Sequence, residues 1–173
     1  AVAALESPPA KVSLDNKQSR IRFAGFIRVS KFMADDLAGA NVSDHLAKLL
    51  IYGPRRSDED WAEDQQILAD TRGAVCRIIA EHGFLILPTV PNLPFAHDEP
   101  EPAAQADFTC LASIAGLPAI SLPMGFTADG LPMGIQLVGD AGAEAGLFQL
   151  ARRLDTKLGA YRAPQPVGET ICE

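Results

Sequence analysis

Apolar residues recur along this chain at two spacings, one suited to helices and one to strands. Between Ser57 and Gly83 the positions Ile67, Leu68, Thr71, Ala74, Val75, Ile78 and Ile79 keep the three-and-four spacing of one helix face. Ser57 followed three residues later by Asp60 has the form of a capping box with a short acid, and Gly83 supplies the stop. Phe84–Leu87 is then a continuous apolar run closed by Pro88. Such a run, directly after an amphipathic helix, predicts a strand buried on both faces. A second helix face, Phe108, Leu111, Ala112 and Ala115, ends at Gly116. The stretches Pro118–Pro123 and Pro132–Val138 predict two strands, and Asp129-Gly130 between them is a strong hairpin signal. A last helix places Leu147, Leu150, Ala151, Leu154 and Leu158 on one side. Its Arg152, Arg153 and Lys157 sit where the dipole favours cations, before Gly159.

The remainder is less periodic. Val12 and Leu14 alternate with polar residues and predict a short strand. Residues 20–40 show weak helical spacing. Ser43 can cap a short helix bearing Leu46, Leu49 and Leu50, with Gly53-Pro54 as its stop. Residues 90–106 hold Pro91, Pro94, Pro100 and Pro102, each of which removes a donor and restricts its predecessor. A loop of that length in a compact domain is expected to be functional or mobile. The tail with Pro164 and Pro166 is expected to be extended.

The length of 173 residues suits one domain with a sizeable core. The net charge of −7 argues against a phosphate-backbone binder, so no nucleic-acid partner is expected. Cys76, Cys110 and Cys172 are odd in number and lack C-x-x-C spacing, which fits a reducing compartment. No apolar run reaches the ~18 residues of a membrane span, and the start lacks the pattern of a signal peptide. A cytoplasmic protein without a membrane partner is therefore expected. The chain begins at Ala1, which fits removal of an initiator Met or a shortened product equally.

Familiar catalytic signatures are missing. There is no G-x-S-x-G or S-x-x-K, and no phosphate-cradling G-x-x-x-x-G-K-[ST] or G-x-G-x-x-G. His45, His82 and His97 show no metal spacing, so no metal site is expected; His82 falls at a helix C-terminus, where its charge suits the dipole. Cys110 as a thiol nucleophile is weighed against a place in the core, which its helix-face position favours.

Three blocks carry a resemblance. They are Phe84-Leu-Ile-Leu-Pro-Thr-Val-Pro91; Asp107-Phe-Thr followed by Gly116-Leu-Pro-Ala-Ile-Ser-Leu-Pro123; and Gly130-Leu-Pro-Met-Gly-Ile-Gln-Leu-Val-Gly139 before a Leu/Ala-rich helix. In order and spacing they resemble the amidase signature family, whose members cleave carbon–nitrogen bonds of amides. The resemblance implies an α/β protein, part of an α/β/α sandwich around a mixed sheet, with no metal and no cofactor. It also implies a nucleophilic serine activated through a second, cis serine by a lysine, following the logic of an activated nucleophile with oxyanion stabilisation. Those three residues belong to blocks upstream of the ones resembled here. No two serines are adjacent in this chain, and Lys11, Lys17, Lys31, Lys48 and Lys157 lie near no Gly/Ser-rich run. No catalytic residue is therefore carried over. The chain reads as the C-terminal portion of such a fold, one domain over 1–173: a variable region 1–58, the family-like region 59–160 and the tail 161–173.

The resemblance also implies a substrate wall. In family members that hydrolyse glutamine to supply ammonia to a misacylated tRNA, an acid matching Asp107 holds the substrate's amino group, since a buried ammonium needs a charged partner. The reading favoured here is that Asp107 caps the helix that follows it. Those members also need an arginine for the carboxylate, and Lys48 is the nearest candidate. Thr89 and Thr109 are further pocket candidates. The expected function is thus part of an amidase acting on small non-peptide amides, inert by itself. The alternatives are a glutamine amidotransferase of the A type, and a non-catalytic interaction protein keeping an amidase-like fold. Expected partners are the amide substrate and the missing N-terminal half or a complementary chain, with self-association in its absence.

Overall fold

The computed structural model describes residues 8–163. In chain order the elements are α1 (Gln18–Asp36), α2 (Asp44–Leu50), α3 (Asp58–His82), β1 (Leu85–Pro88), α4 (Thr109–Ala115), β2 (Ala119–Phe126), β3 (Pro132–Val138) and α5 (Glu144–Leu158). The Ser57 hydroxyl accepts from the Asp60 amide, and Gly83 ends α3 at φ 84°, a conformation open to glycine. Ser43 caps α2 in the same way, accepting from Leu46.

The three strands form one antiparallel sheet in the order β1-β3-β2. Leu85 pairs with Val138 and Leu87 with Gln136, while Ala119 pairs with Val138 and Ser121 with Gln136. A bulge between Pro123 and Gly125 bends the far end of β2. Because side chains alternate across a strand, the two sheet faces meet different helices. Leu85 and Val138 pack with Val75 and Ile79 of α3 and with Ala112 and Ala115 of α4. Leu137 on the opposite face packs with Leu147, Ala151 and Leu154 of α5, joined by Ile86, Ile120 and Leu122. Helices thus cover both sides of the sheet, the α/β layering expected. A third cluster seats α1, through Ile21 and Ala24, on Ile67 and Leu68 of α3 and Leu111 of α4.

Three expectations change. Residues 8–17 contain no strand, and Leu14 instead wedges between the two clusters on the α3/α4 side. The apolar run at Phe84 has helices over both faces of its strand, but β1 begins at Leu85, pairs among the described residues with β3 alone and leaves Phe84 36% exposed. Asp107 does not cap α4: that helix starts at Thr109, with Phe108 before it and no side-chain cap. The loop 90–106 carries no helix or strand, as its prolines dictate. The expected tail with Pro164 and Pro166, and Cys172, lie outside the described residues. Among the described residues no helix is long and apolar enough to cross a membrane.

Candidate functional site

The carboxyl end of β1 delivers Thr89 to a set of polar groups on the α4 side of the sheet. Its amide donates to the Gly134 carbonyl at 3.0 Å, which extends the ladder one residue past the strand. Its hydroxyl lies 2.6 Å from Ser121 Oγ. Ser121 Oγ also lies 3.3 Å from the Ile135 carbonyl, to which it can donate, and either hydroxyl can donate to the other. Gly134 makes this possible, since a Cβ there would stand 2.9 Å from Thr89 Oγ1. Beside Ser121, the buried Gln136 donates through Nε2 to the Phe108 carbonyl at 3.4 Å. This contact ties the central strand to the residue between Asp107 and Thr109.

Asp107 takes a partner that no local pattern announces. Arg22 Nε of α1 donates to its Oδ1 at 2.5 Å, across 85 positions of sequence. Both side chains are largely buried, at 15% exposure for Asp107 and 26% for Arg22. The expected basic partner, Lys48, lies instead exposed in the last turn of α2. Asp107 and Thr109 are therefore brought together with Arg22, and Thr89 with Ser121. Arg22, Ser121 and Gln136 were not singled out from the sequence. Gln136 alone offered a signal there, as an amide in the middle of an apolar strand.

Two cavities flank these groups. A cleft of about 320 Å³ lies under the Pro-rich loop, walled by Pro88, Pro91, Phe95, Met124, Met133 and Gly134 among others. Asn92 Oδ1 on its wall is buried with no hydrogen-bond partner among the described residues. A broader groove of about 840 Å³ runs between α1, α3 and α4, and Arg22 and Thr109 line it. Among the described residues no three His, Cys, Asp or Glu side chains converge on a metal position.

Cys110, also on that groove, is unsuited to nucleophilic work. Burial, and then the charge of Asp107, push its thiol up to about 11. Its S–H points at the Asp107 carbonyl, 3.6 Å away. The thiolate is the reactive form, and at pH 7 it is present at a fraction on the order of 10⁻⁴. Iodoacetamide at neutral pH should accordingly alkylate Cys110 at least ~100-fold more slowly in the folded chain than in urea. Peptide mapping reads the two rates; equal rates would show that the thiol is neither buried nor held.

A family model described as Amidase matches residues 10–148. The chain belongs to the amidase family. Curated relatives of this amidase chain include the A-subunit of glutamyl-tRNA(Gln) amidotransferase from Alkaliphilus metalliredigens, 38% identical over 97 residues. That match covers 53% of this chain and 20% of the relative. The protein of the same name from Chlorobium phaeobacteroides is 50% identical over 72 residues, or 39% of this chain and 15% of the relative. The chain thus spans about a fifth of the length of the curated relatives it matches.

Among solved structures, a bacterial aryl acylamidase of the amidase signature family superposes with a TM-score of 0.72 at 19% identity. The superposition covers 86% of this chain and 36% of that one. The glutamyl-tRNA(Gln) amidotransferase A-subunit from Thermotoga maritima gives 0.65 at 19% identity, over 94% of this chain and 40% of the other. These likenesses show the fold: the chain is an amidase-signature α/β structure.

Proposed function

We propose that this chain builds sheet and substrate wall for an amidase that hydrolyses the carbon–nitrogen bond of a non-peptide amide. In this reading the Ser–cis-Ser–Lys triad comes from outside these 173 residues. The observation that carries it is the placement of Thr89. Its hydroxyl is held on Ser121 at the carboxyl end of β1, and its neighbours Pro88 and Val90 line the cleft under the Pro-rich loop. In open α/β folds ligands favour the carboxyl ends of parallel strands, and β1 and β2, both antiparallel to β3, run in the same direction here. Ser121 and Ala119 are exposed on the α4 side of β2, so that face of the sheet is open where a substrate and further chain could sit. Thr89, Asp107 and Thr109 then contribute to the wall, and the loop 90–106 closes over the amide.

The chain alone should hydrolyse no amide, because no two of its serines are adjacent and its lysines lie near no Gly/Ser-rich run of the kind that carries the triad. Left alone it should self-associate through the edge of β1 that has no partner strand among the described residues. Co-expression with the upstream blocks of an amidase should give a stoichiometric complex in sedimentation, and hydrolysis that is lost when the upstream nucleophilic serine becomes alanine. Activity of the purified chain alone that maps to one of its own residues would overturn this reading, as would a complex that stays inert.

The second reading is a glutamine-using amidotransferase of the A type, favoured by the names of the curated relatives. The ion pair of Asp107 with Arg22 counts against it, since that carboxylate already has its cation. The same complex separates the two readings: ammonia release from glutamine supports the second, and turnover of neutral amides alone supports the first.

A further inference from the structure

We propose that the groove between α1, α3 and α4 is a binding site for an apolar carboxylate, an aryl or aliphatic body ending in a single COO⁻. The groove shares Thr109 with the proposed substrate wall, but the acid it takes is held at the rim by this chain's own arginines and is not hydrolysed there. Its volume of about 840 Å³ falls in the range of small-molecule pockets, roughly 300–1,000 Å³. Its walls are apolar: Phe26, Val29 and Phe32 from α1, Leu68 from α3 and Ile114 from α4. Val29 and Phe32 are 54% and 57% exposed, more than a helix with an apolar face normally concedes to water.

The aromatic wall is already in place. Phe26 stands edge-on to Tyr52 with ring centres 5.7 Å apart, and Phe32 edge-on to Trp61 at 6.4 Å. The Lys31 ammonium caps the same indole at 4.8 Å. A ligand that inserts between these rings meets surfaces held by their own partners and orders little by binding.

Charge selects the head group. The chain carries a net charge of −7, yet every charged residue lining the groove is an arginine: Arg22, Arg28 and Arg72. Asp107 occupies Arg22. Arg28 on α1 and Arg72 on α3 are exposed at the rim, and neither has an ion pair with an acid among the described residues. A guanidinium binds a carboxylate through two parallel hydrogen bonds. Two of them over an apolar floor fit a molecule with one anionic end, and offer nothing to a cation.

The probes are 4-phenylbutanoate and 4-phenylbutanamide, of the same shape but without the charge, titrated calorimetrically into the chain. The acid should bind saturably and at least about tenfold more tightly than the amide. The double variant Arg28→Gln/Arg72→Gln should bring the acid down to the affinity of the amide and leave the amide unchanged. Both arginines are exposed, so helix content by circular dichroism should be unaltered. Independently of any variant, NaCl at about 0.5 M should weaken the acid selectively, because exposed charges are screened.

No saturable binding, equal affinities for acid and amide, or acid binding that survives both salt and the double variant would each overturn the proposal. So would loss of binding when the upstream portion of an amidase is bound, since the groove would then be a contact between the two portions.

Discussion

Replacing Asp64 with alanine is expected to destabilise the chain by about 3 kcal/mol, enough to lower the melting temperature by roughly 10 °C in a chain of this size. Asp64 lies on α3 and is fully buried. Arg20 of α1 donates to its Oδ1 at 2.8 Å, and Arg56 donates to Oδ2 at 2.8 Å and to Oδ1 at 3.1 Å. Both guanidinium groups also lie over the Phe23 ring, at 5.7 and 5.3 Å. One carboxylate therefore joins α1, α3 and the turn after α2. Removing it leaves two cations facing a void. Glu63 at 3.1 Å from Arg20 and Asp60 at 3.2 Å from Arg56 soften the loss, which places the cost at the low end for a broken buried pair.

The pH dependence has a definite sign. Burial by itself would push Asp64 up, but the hydrogen bonds from Arg56 and Arg20 outweigh it and hold its carboxyl below the ordinary value of 3.8. A carboxylate held low in the folded state stabilises fully above its unfolded value, and the contribution is lost as pH falls through the folded one. Urea titrations should show the full gap between the natural chain and Asp64→Ala at pH 7, narrowing below about pH 4. A gap that stays constant into acid would mean that packing, and not the ion pairs, sets the cost.

Gly53→Ala should cost about 3 kcal/mol as well, by overpacking against backbone that cannot yield. Gly53 is buried where the chain leaving α2 passes α1. An added Cβ would stand 2.2 Å from the Lys31 amide nitrogen and 2.5 Å from its Cα. One hydroxyl fixes that approach: Ser30 Oγ donates to the Leu49 carbonyl and accepts from the Gly53 amide, both at 2.9 Å. Ser30→Ala removes the tie without a clash and should cost only about 1–2 kcal/mol, the price of a buried amide left unpaired. If Gly53→Ala proves the milder of the two in denaturant midpoints, the close approach is not what the glycine is for.

That glycine shows where the sequence could be read and where it could not. Gly53 was legible as a helix stop, yet its stricter role depends on Lys31, which no local pattern connects to it. Helix α3 was plain because Ser57 and Gly83 mark its ends and its apolar residues keep to one face. Helix α1 was not, since Ile21, Ala24 and Ile27 face the core while Val29, Phe32 and Met33 are apolar on the exposed side. Apolar residues on both sides erase the periodicity. At the site, the strands and the hairpin turn were evident from their prolines and Asp129-Gly130, and so Thr89 was placed correctly at a strand end. Asp107 looked like a cap because acids before helices usually are; the helix starts later, and Arg22 claims the carboxylate from α1. Contacts such as these are set by tertiary packing, which leaves no trace in spacing.

The strand order has a consequence for how the chain is made. The middle strand, β3, is synthesised last of the three, so neither outer strand has a neighbour until it appears. Pro88 pairs with Ile135, and at ordinary ribosomal rates of roughly 5–20 residues per second the delay between them is on the order of a few seconds. During that time Leu85 and Leu87 can be shielded only by Leu14, α1 and α3, which precede them, and then by α4, while the α5 that covers Ile86 has yet to appear. The nascent chain is thus most vulnerable to wrong pairing before Pro132–Val138 emerges, and a ribosome that stalls in the Pro-rich loop prolongs that exposure.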